Sequence, residues 1–133
     1  MLTVIEELQP IIELFEADND NLQYWLNQSR FFIQSENGDS DFMLRFNSHT
    51  RSLVVARIAF SNQRKGNGRK LLELLEEYGR KRSFDHIVFE NIISESGYRF
   101  MKKYGFERDV NNAVERHPYF GNWLRRIKES DIV

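Results

Sequence analysis

Residues 53–75 read Leu-Val-Val-Ala-Arg-Ile-Ala-Phe-Ser-Asn-Gln-Arg-Lys-Gly-Asn-Gly-Arg-Lys-Leu-Leu-Glu-Leu-Leu, and their order decides the fold. An apolar, β-branched run leads into a polar turn punctuated by Gly66 and Gly68. Beyond the turn, Leu71, Leu74, Leu75 and Tyr78 recur at helical spacing. A strand feeding a glycine-rich turn at a helix start presents N–H groups that lack intrahelical acceptors, at the positive end of the helix macrodipole. The two glycines remove side chains that would hold a ligand off those amides. Arg64, Lys65, Arg69 and Lys70 place positive charge around the same spot. The pattern describes an anion site, for phosphate or pyrophosphate. It is not a Walker A loop, because Gly68 is followed by Arg69-Lys70 rather than Lys-Ser/Thr. It is not a dinucleotide fingerprint either, because Leu71 stands where a third glycine belongs.

Upstream, Val4, Ile5, Leu8, Ile11, Ile12 and Phe15 have helical spacing, with a kink, a break or a second helix expected at Pro10. The polar cluster Asp18–Asn21 is a loop, in which Asp20 or Asn21 caps a short helix over Leu22–Leu26. Arg30–Ser35, Asp41–Asn47 and Ser52–Phe60 are strand-like runs joined by tight turns, so an antiparallel meander is expected. Downstream, Asp85–Glu90 is a short strand, and Ser94 caps a helix that runs to Tyr104 and stops at Gly105. Phe106–Val110 resumes as extended chain. Tyr119–Ile127 fits either a strand or a helix, with a strand favoured. The whole is a single mixed α/β (α+β) domain over residues 1–133: a meander, then strand–helix–strand–helix–strand.

Composition narrows the class. The 133 residues suit one compact domain. The absence of cysteine excludes disulfides, a thiolate nucleophile and cysteine-bound metal. No run is long and apolar enough for a membrane span, and the first ten residues do not look like a signal peptide, so a cytoplasmic address is expected. The net charge of −1 is a cancellation: residues 1–42 hold nine acidic residues against Arg30 alone, and the remainder is correspondingly basic. His49, His86 and His117 have no metal-ligand spacing with carboxylates, so no metal site is expected.

Two motifs carry a family resemblance. Gln63-x-x-Gly66-x-Gly68 resembles the R/Q-x-x-G-x-G/A signature of the GNAT superfamily of acyl-CoA-dependent N-acetyltransferases. Gly97–Glu107, which contains Tyr98, Phe100, Tyr104, Gly105 and Phe106, resembles that family's aromatic helix ending in Gly-Phe before a strand. The motifs occur in order, separated by one helix and one strand.

The resemblance implies acetyl-CoA as co-substrate, its pantetheine arm lying between splayed parallel strands at Leu53–Phe60 and Asp85–Glu90. Backbone groups of Ile58, Ala59 and Phe60 would pair with pantetheine. The segment Gln63, Arg64, Lys65, Gly66, Asn67, Gly68, Arg69 and Lys70 would hold the pyrophosphate. Ser94 sits where the family often has an asparagine near the cofactor, and reads better as a helix cap. Met101 occupies the position of the family's proton-donating tyrosine and cannot donate. Tyr98, one turn earlier on roughly the same helix face, is the candidate acid, and Tyr104 lies elsewhere within the motif. Glu90, ending the second splayed strand, is the candidate general base.

The function implied is direct acetyl transfer from acetyl-CoA to a primary amine with no covalent enzyme intermediate. The early helices and late strands wall the acceptor cleft in this family, so acidic Glu13–Asp20 point to a cationic small molecule or protein as acceptor. The rival reading is a CoA-binding sensor or partner-binding module that has lost catalysis. Nucleic-acid binding is disfavoured by a sequence pI near 6.3. A homodimer through a C-terminal surface strand is a further expectation.

Overall fold

The computed structural model describes residues 3–62, 66–110 and 120–128. The chain opens with two helices, α1 (Val4–Glu7) and α2 (Gln9–Asp18). The break expected near Pro10 falls at Leu8, which is fully buried. Pro10 sits in the first turn of α2, where a missing N–H forfeits no hydrogen bond.

The helix expected over Leu22–Leu26 is instead a strand, β1 (Leu22–Asn27). Asn21, one of its two expected caps with Asp20, is engaged otherwise. Its N–H donates to Asn19 Oδ1 at 3.0 Å and its carbonyl accepts from the Glu36 N–H at 3.1 Å. β1 pairs antiparallel with β2 (Arg30–Ser35) across Gln28-Ser29, with Gln28 at φ 55°. The meander continues as expected through β3 (Asp41–Asn47) and β4 (Ser52–Ala59).

The second half holds α3 (Asn67–Lys81), β5 (His86–Ile92), α4 (Glu95–Lys103), β6 (Glu107–Arg108) and β7 (Gly121–Arg126). Gly105 ends α4 as read from sequence. At φ 76° it lets the Phe106 N–H reach the Met101 carbonyl at 2.9 Å, closing the last turn. The tail does form a strand. The sheet order is β1-β2-β3-β4-β5-β7-β6, and β4–β5 pair in parallel. β7 is therefore interior to the sheet order, with β5 along one side and β6 against Trp123 and Leu124 on the other.

Alternation along the strands sends Phe31, Ile33, Phe42, Leu44, Leu53, Val55, Ile87, Phe89 and Trp123 to one sheet face, all buried. All three longer helices cover that face. Phe15 of α2 meets Phe42 at 5.1 Å, Tyr78 of α3 meets Phe46 at 5.9 Å, and Phe100 of α4 meets Phe89 at 6.3 Å. Each such buried side chain is worth about 2 kcal/mol, against less than about 1 kcal/mol for an exposed ion pair. This single interface therefore dominates stability. α2 packs beside α3 in the same layer.

The second face carries Phe32, Met43, Arg45, Val54, Val88, Glu90 and Leu124, and no helix of the described residues covers it. Val54 is nevertheless buried. Arg45 on β3 grips Glu90 on β5 with both guanidinium Nη atoms, at 3.3 and 2.9 Å, and this pair crosses β4 above Val54. Among the described residues, no helix is long and apolar enough to cross a membrane.

Candidate active site

The parallel ladder between β4 and β5 runs from Ser52↔His86 to Val55↔Phe89 and stops. Both strands carry an irregularity at that level. On β4 the register with β3 passes from Leu44↔Val55 to Met43↔Arg57, leaving Ala56 as an extra residue. On β5 the register with β7 passes from Phe89↔Trp123 to Ile92↔Gly121, so Glu90 and Asn91 stand against Asn122. Asn91 is left-handed at φ 56°, and its N–H is held by Asn122 Oδ1 at 3.0 Å. A bulge bends its strand and strengthens the local twist. Two facing bulges draw the strands apart, and a cleft of about 900 Å³ opens between them.

The N-terminus of α3 closes one end of the cleft. Gly66 at φ 75° turns the chain into the helix, and no side chain caps the first turn. The Lys70 N–H reaches the Gly66 carbonyl at 3.1 Å, which leaves the amides of Asn67, Gly68 and Arg69 without intrahelical acceptors. The first turn contains no acid and does contain Arg69 and Lys70, the reverse of what stabilises a helix N-terminus. An anion seated there would offset that charge arrangement. Gly68 has a second role that the sequence did not reveal. A Cβ at this position would sit 2.9 Å from Phe100 Cε2, so the glycine lets α4 pack against the start of α3.

Asp18, the last residue of α2, holds the turn from below. Its carboxylate accepts from the backbone N–H groups of Ser61 at 2.6 Å and Asn62 at 2.8 Å, and from the Ser40 hydroxyl at 3.0 Å. Burial by itself raises the carboxyl pKa. The hydrogen bonds from Asn62, Ser61 and Ser40 outweigh that and hold it below its ordinary value. The sequence places Asp18 in a loop and among the acids that suggest a cationic acceptor; an acid is unfavourable at a helix C-terminus, and that is the signal by which this role could be found.

Of the residues expected to bind the cofactor, Ile58, Ala59, Phe60, Gly66, Asn67, Gly68, Arg69 and Ser94 lie in the cleft wall, with Glu90 beside them. Gln63, Arg64 and Lys65 lie outside the described residues. Lys70 is exposed and stands off the wall, and Met101 is buried in the core. Ser94 caps α4 by accepting from the Gly97 N–H at 3.0 Å. Tyr98 is half-buried and packs edge-on against Trp123 at 5.6 Å, and it is Tyr104 that reaches the wall. Arg57 also lines the cleft, its Nε bonded to Asp41 at 3.0 Å. His86 begins β5, and His117 lies outside the described residues. Among the described residues no three acidic or histidine side chains group in a way that could hold a metal ion.

This arrangement of meander, crossover helix, splayed parallel pair and second helix is the GNAT fold. No family model matches the sequence, and no curated protein matches it. Solved structures do. A GNAT-family acetyltransferase from Staphylococcus aureus Mu50 superposes with TM-score 0.57 at 17% identity, over 90% of this chain and 78% of that one. Tetrahymena GCN5 superposes with TM-score 0.57 at 12% identity, over 95% and 89%. Nourseothricin acetyltransferase gives 0.54 at 17% identity; this chain spans 74% of itself in that match and 65% of the other protein.

Proposed function

We propose that the protein is an N-acetyltransferase that moves an acetyl group from acetyl-CoA directly to a primary amine. The observation that carries this is the convergence of two features in one cleft: the β4 edge left unpaired beyond Val55, and the open amides of Asn67, Gly68 and Arg69 at the end of that edge. An unpaired strand edge offers amide groups to the pantetheine arm, as an added strand would. The helix N-terminus offers N–H donors and positive potential to the diphosphate. Glu90 is the base that accepts the amine proton, directly or through water, while Arg45 fixes its orientation. Attack on the thioester carbon forms the C–N bond, and collapse of the tetrahedral intermediate breaks the C–S bond. The departing thiolate takes its proton from a tyrosine, for which Tyr104 in the wall and Tyr98 on the neighbouring turn are the candidates.

The acceptor is the finer part of the proposal. The cationic preference expected from sequence rested on acidic early helices opposite the cofactor. α2 lies beside α3, and Asp18 is taken up by the turn. The mouth on the helix-free face presents the Arg57–Asp41 and Arg45–Glu90 pairs, which balance in charge. A panel of cationic, neutral and zwitterionic amines, assayed by CoA release, settles the class: a strong preference for polyamines or lysine side chains supports the cationic acceptor, and equal rates remove it. The cytoplasmic address belongs to the same proposal.

A second reading, a CoA-binding module without catalysis, is favoured by the burial of Met101 where the family's acid belongs and by the packing of Tyr98 against Trp123. Calorimetry with acetyl-CoA and turnover with the amine panel separate the two. Binding with no turnover supports the second reading, and absence of binding overturns both.

A further inference from the structure

The two strands that end the sheet are unlike. β6 spans two residues, whereas β1 spans six, Leu22-Gln23-Tyr24-Trp25-Leu26-Asn27. β1 holds no charge, proline or glycine in a chain that is 29% charged. Its Tyr24, Trp25 and Leu26 are 42%, 38% and 37% exposed, and Trp25 stacks on Phe32 at 4.9 Å to extend the apolar surface onto β2. Soluble proteins protect a long edge with lysine, proline, a bulge or a covering element. β1 has no such charge or proline, and its ladder with β2 runs unbroken from Leu22↔Ser35 to Asn27↔Arg30.

Alternation tells which backbone groups are open. The Glu36 N–H bonds the Asn21 carbonyl, so the odd-numbered residues of this segment are the ones bonded to β2. The N–H and C=O groups of Leu22, Tyr24 and Leu26 therefore point away from the sheet.

We propose that β1 is a homodimer interface, in which a second copy adds its own β1 antiparallel about a two-fold axis at Tyr24. Open groups meet open groups only when an even-numbered residue faces an even-numbered one. With Tyr24 on the axis, Leu22 faces the partner's Leu26 and Tyr24 faces the partner's Tyr24, and all the outward groups of the three residues are bonded. Gln23 then stands beside the partner's Trp25, and Asn21 beside the partner's Asn27. No charged residue meets its like, which would be destabilising across a strand pair. A two-fold interface requires a patch complementary to itself, and a neutral strand with apolar side chains on both faces meets that requirement. A charged strand from another protein would find no counter-charge on β1, and this favours a second copy as the occupant. The inference is independent of the acetyltransferase reading.

Sedimentation equilibrium of the full chain tests it. The wild type is expected to dimerise reversibly. Tyr24→Lys places two ammonium groups opposite each other at the axis and is expected to weaken the dimer on the order of a hundredfold. Tyr24 is exposed, so the variant is expected to keep its fold, as circular dichroism will show. The chain has no cysteine, so a single introduced thiol is diagnostic. Tyr24→Cys brings two Cα atoms to about 5.5 Å, within disulfide reach, whereas Leu26→Cys leaves its copies apart. Cross-linking of the first variant and not the second under mild oxidation supports the register. A wild type monomeric at millimolar concentration, a dimer unaffected by Tyr24→Lys, or cross-linking through Leu26→Cys alone each overturns the proposal.

Discussion

Val55 and Phe89 are the last residues at which β4 and β5 run as hydrogen-bonded neighbours, and the cleft begins immediately beyond them. The divergence depends on Asn91, which holds φ 56° where most side chains are strained. A left-handed backbone costs an L-residue about 1–2 kcal/mol, least for asparagine and nothing for glycine. Asn91→Gly is therefore expected to leave the melting temperature unchanged or slightly raised, and Asn91→Val to lower stability by about 1–2 kcal/mol. Thermal denaturation of the two variants checks this. An equal loss in both would show that the bulge rests on the asparagine side chain rather than on its backbone.

Gly66 and Gly68 fail for different reasons when replaced by alanine. At Gly66 the space is open and the strain is in the backbone, so the loss is about 1 kcal/mol. At Gly68 the new methyl meets the Phe100 ring at 2.9 Å. Overpacking of this kind costs about 1–3 kcal/mol. Phe100→Leu is expected to recover much of the Gly68→Ala loss, because the smaller side chain vacates that space. A double-mutant cycle by urea denaturation measures the coupling; a coupling near zero would sink the packing account.

Asp18 makes stability depend on acid in a defined direction. Its carboxyl pKa is lower in the folded state than in the unfolded chain. Its contribution is therefore fully present above about pH 4, near the unfolded value. It is lost as the pH falls through the lower folded value. Asp18→Asn replaces an acceptor of two backbone amides with a group that also carries donors, and is expected to lose about 1–3 kcal/mol at neutral pH. The gap between wild type and variant should narrow below pH 4. A gap that stays constant down to pH 2 would refute the assignment. If the α3 turn holds acetyl-CoA as proposed, Asp18→Asn should also raise the KM for acetyl-CoA more than it lowers kcat, because the same carboxylate holds the segment leading into that turn.

The two candidate acids make opposite forecasts. If Tyr104 protonates the thiolate, Tyr104→Phe lowers kcat about a hundredfold and Tyr98→Phe changes it little. The reverse pattern assigns the role to Tyr98. Loss in neither variant removes both tyrosines from the chemistry. Rates of CoA release at saturating amine, taken with folding checks, decide among these.

The portion from β2 through α4 was legible because its signals are local. Alternation marked the strands, Gly105 marked a helix end, Ser94 marked a helix start, and the Gly-x-Gly turn marked the start of α3 that closes one end of the cleft. β1 was misread because Leu22, Tyr24, Trp25 and Leu26 suit either periodicity and the hairpin turns at Gln28-Ser29 without glycine. Strand preference there comes from pairing with β2, which a local pattern does not contain. The bulges at Ala56 and Glu90-Asn91 were invisible for the same reason, since a bulge is a relation between two strands. Asp18 was hidden because its partners, Ser40, Ser61 and Asn62, all lie far along the chain. Tyr98 and Tyr104 share a helix, and which one faces the cleft depends on how α4 sits on Trp123 and Phe89.

The paired bulges also bear on how the protein can change over time. The gap is written in residue number: each bordering strand has more positions at that level than its outer neighbour accommodates in register. No single substitution alters that count, so the side chains along the walls are free to drift while the opening persists. Zipping β4 to β5 would need a deletion in each strand, and a deletion in one alone would shift the register of everything beyond it. A cleft secured in this way can be re-tuned toward new ligands without being rebuilt.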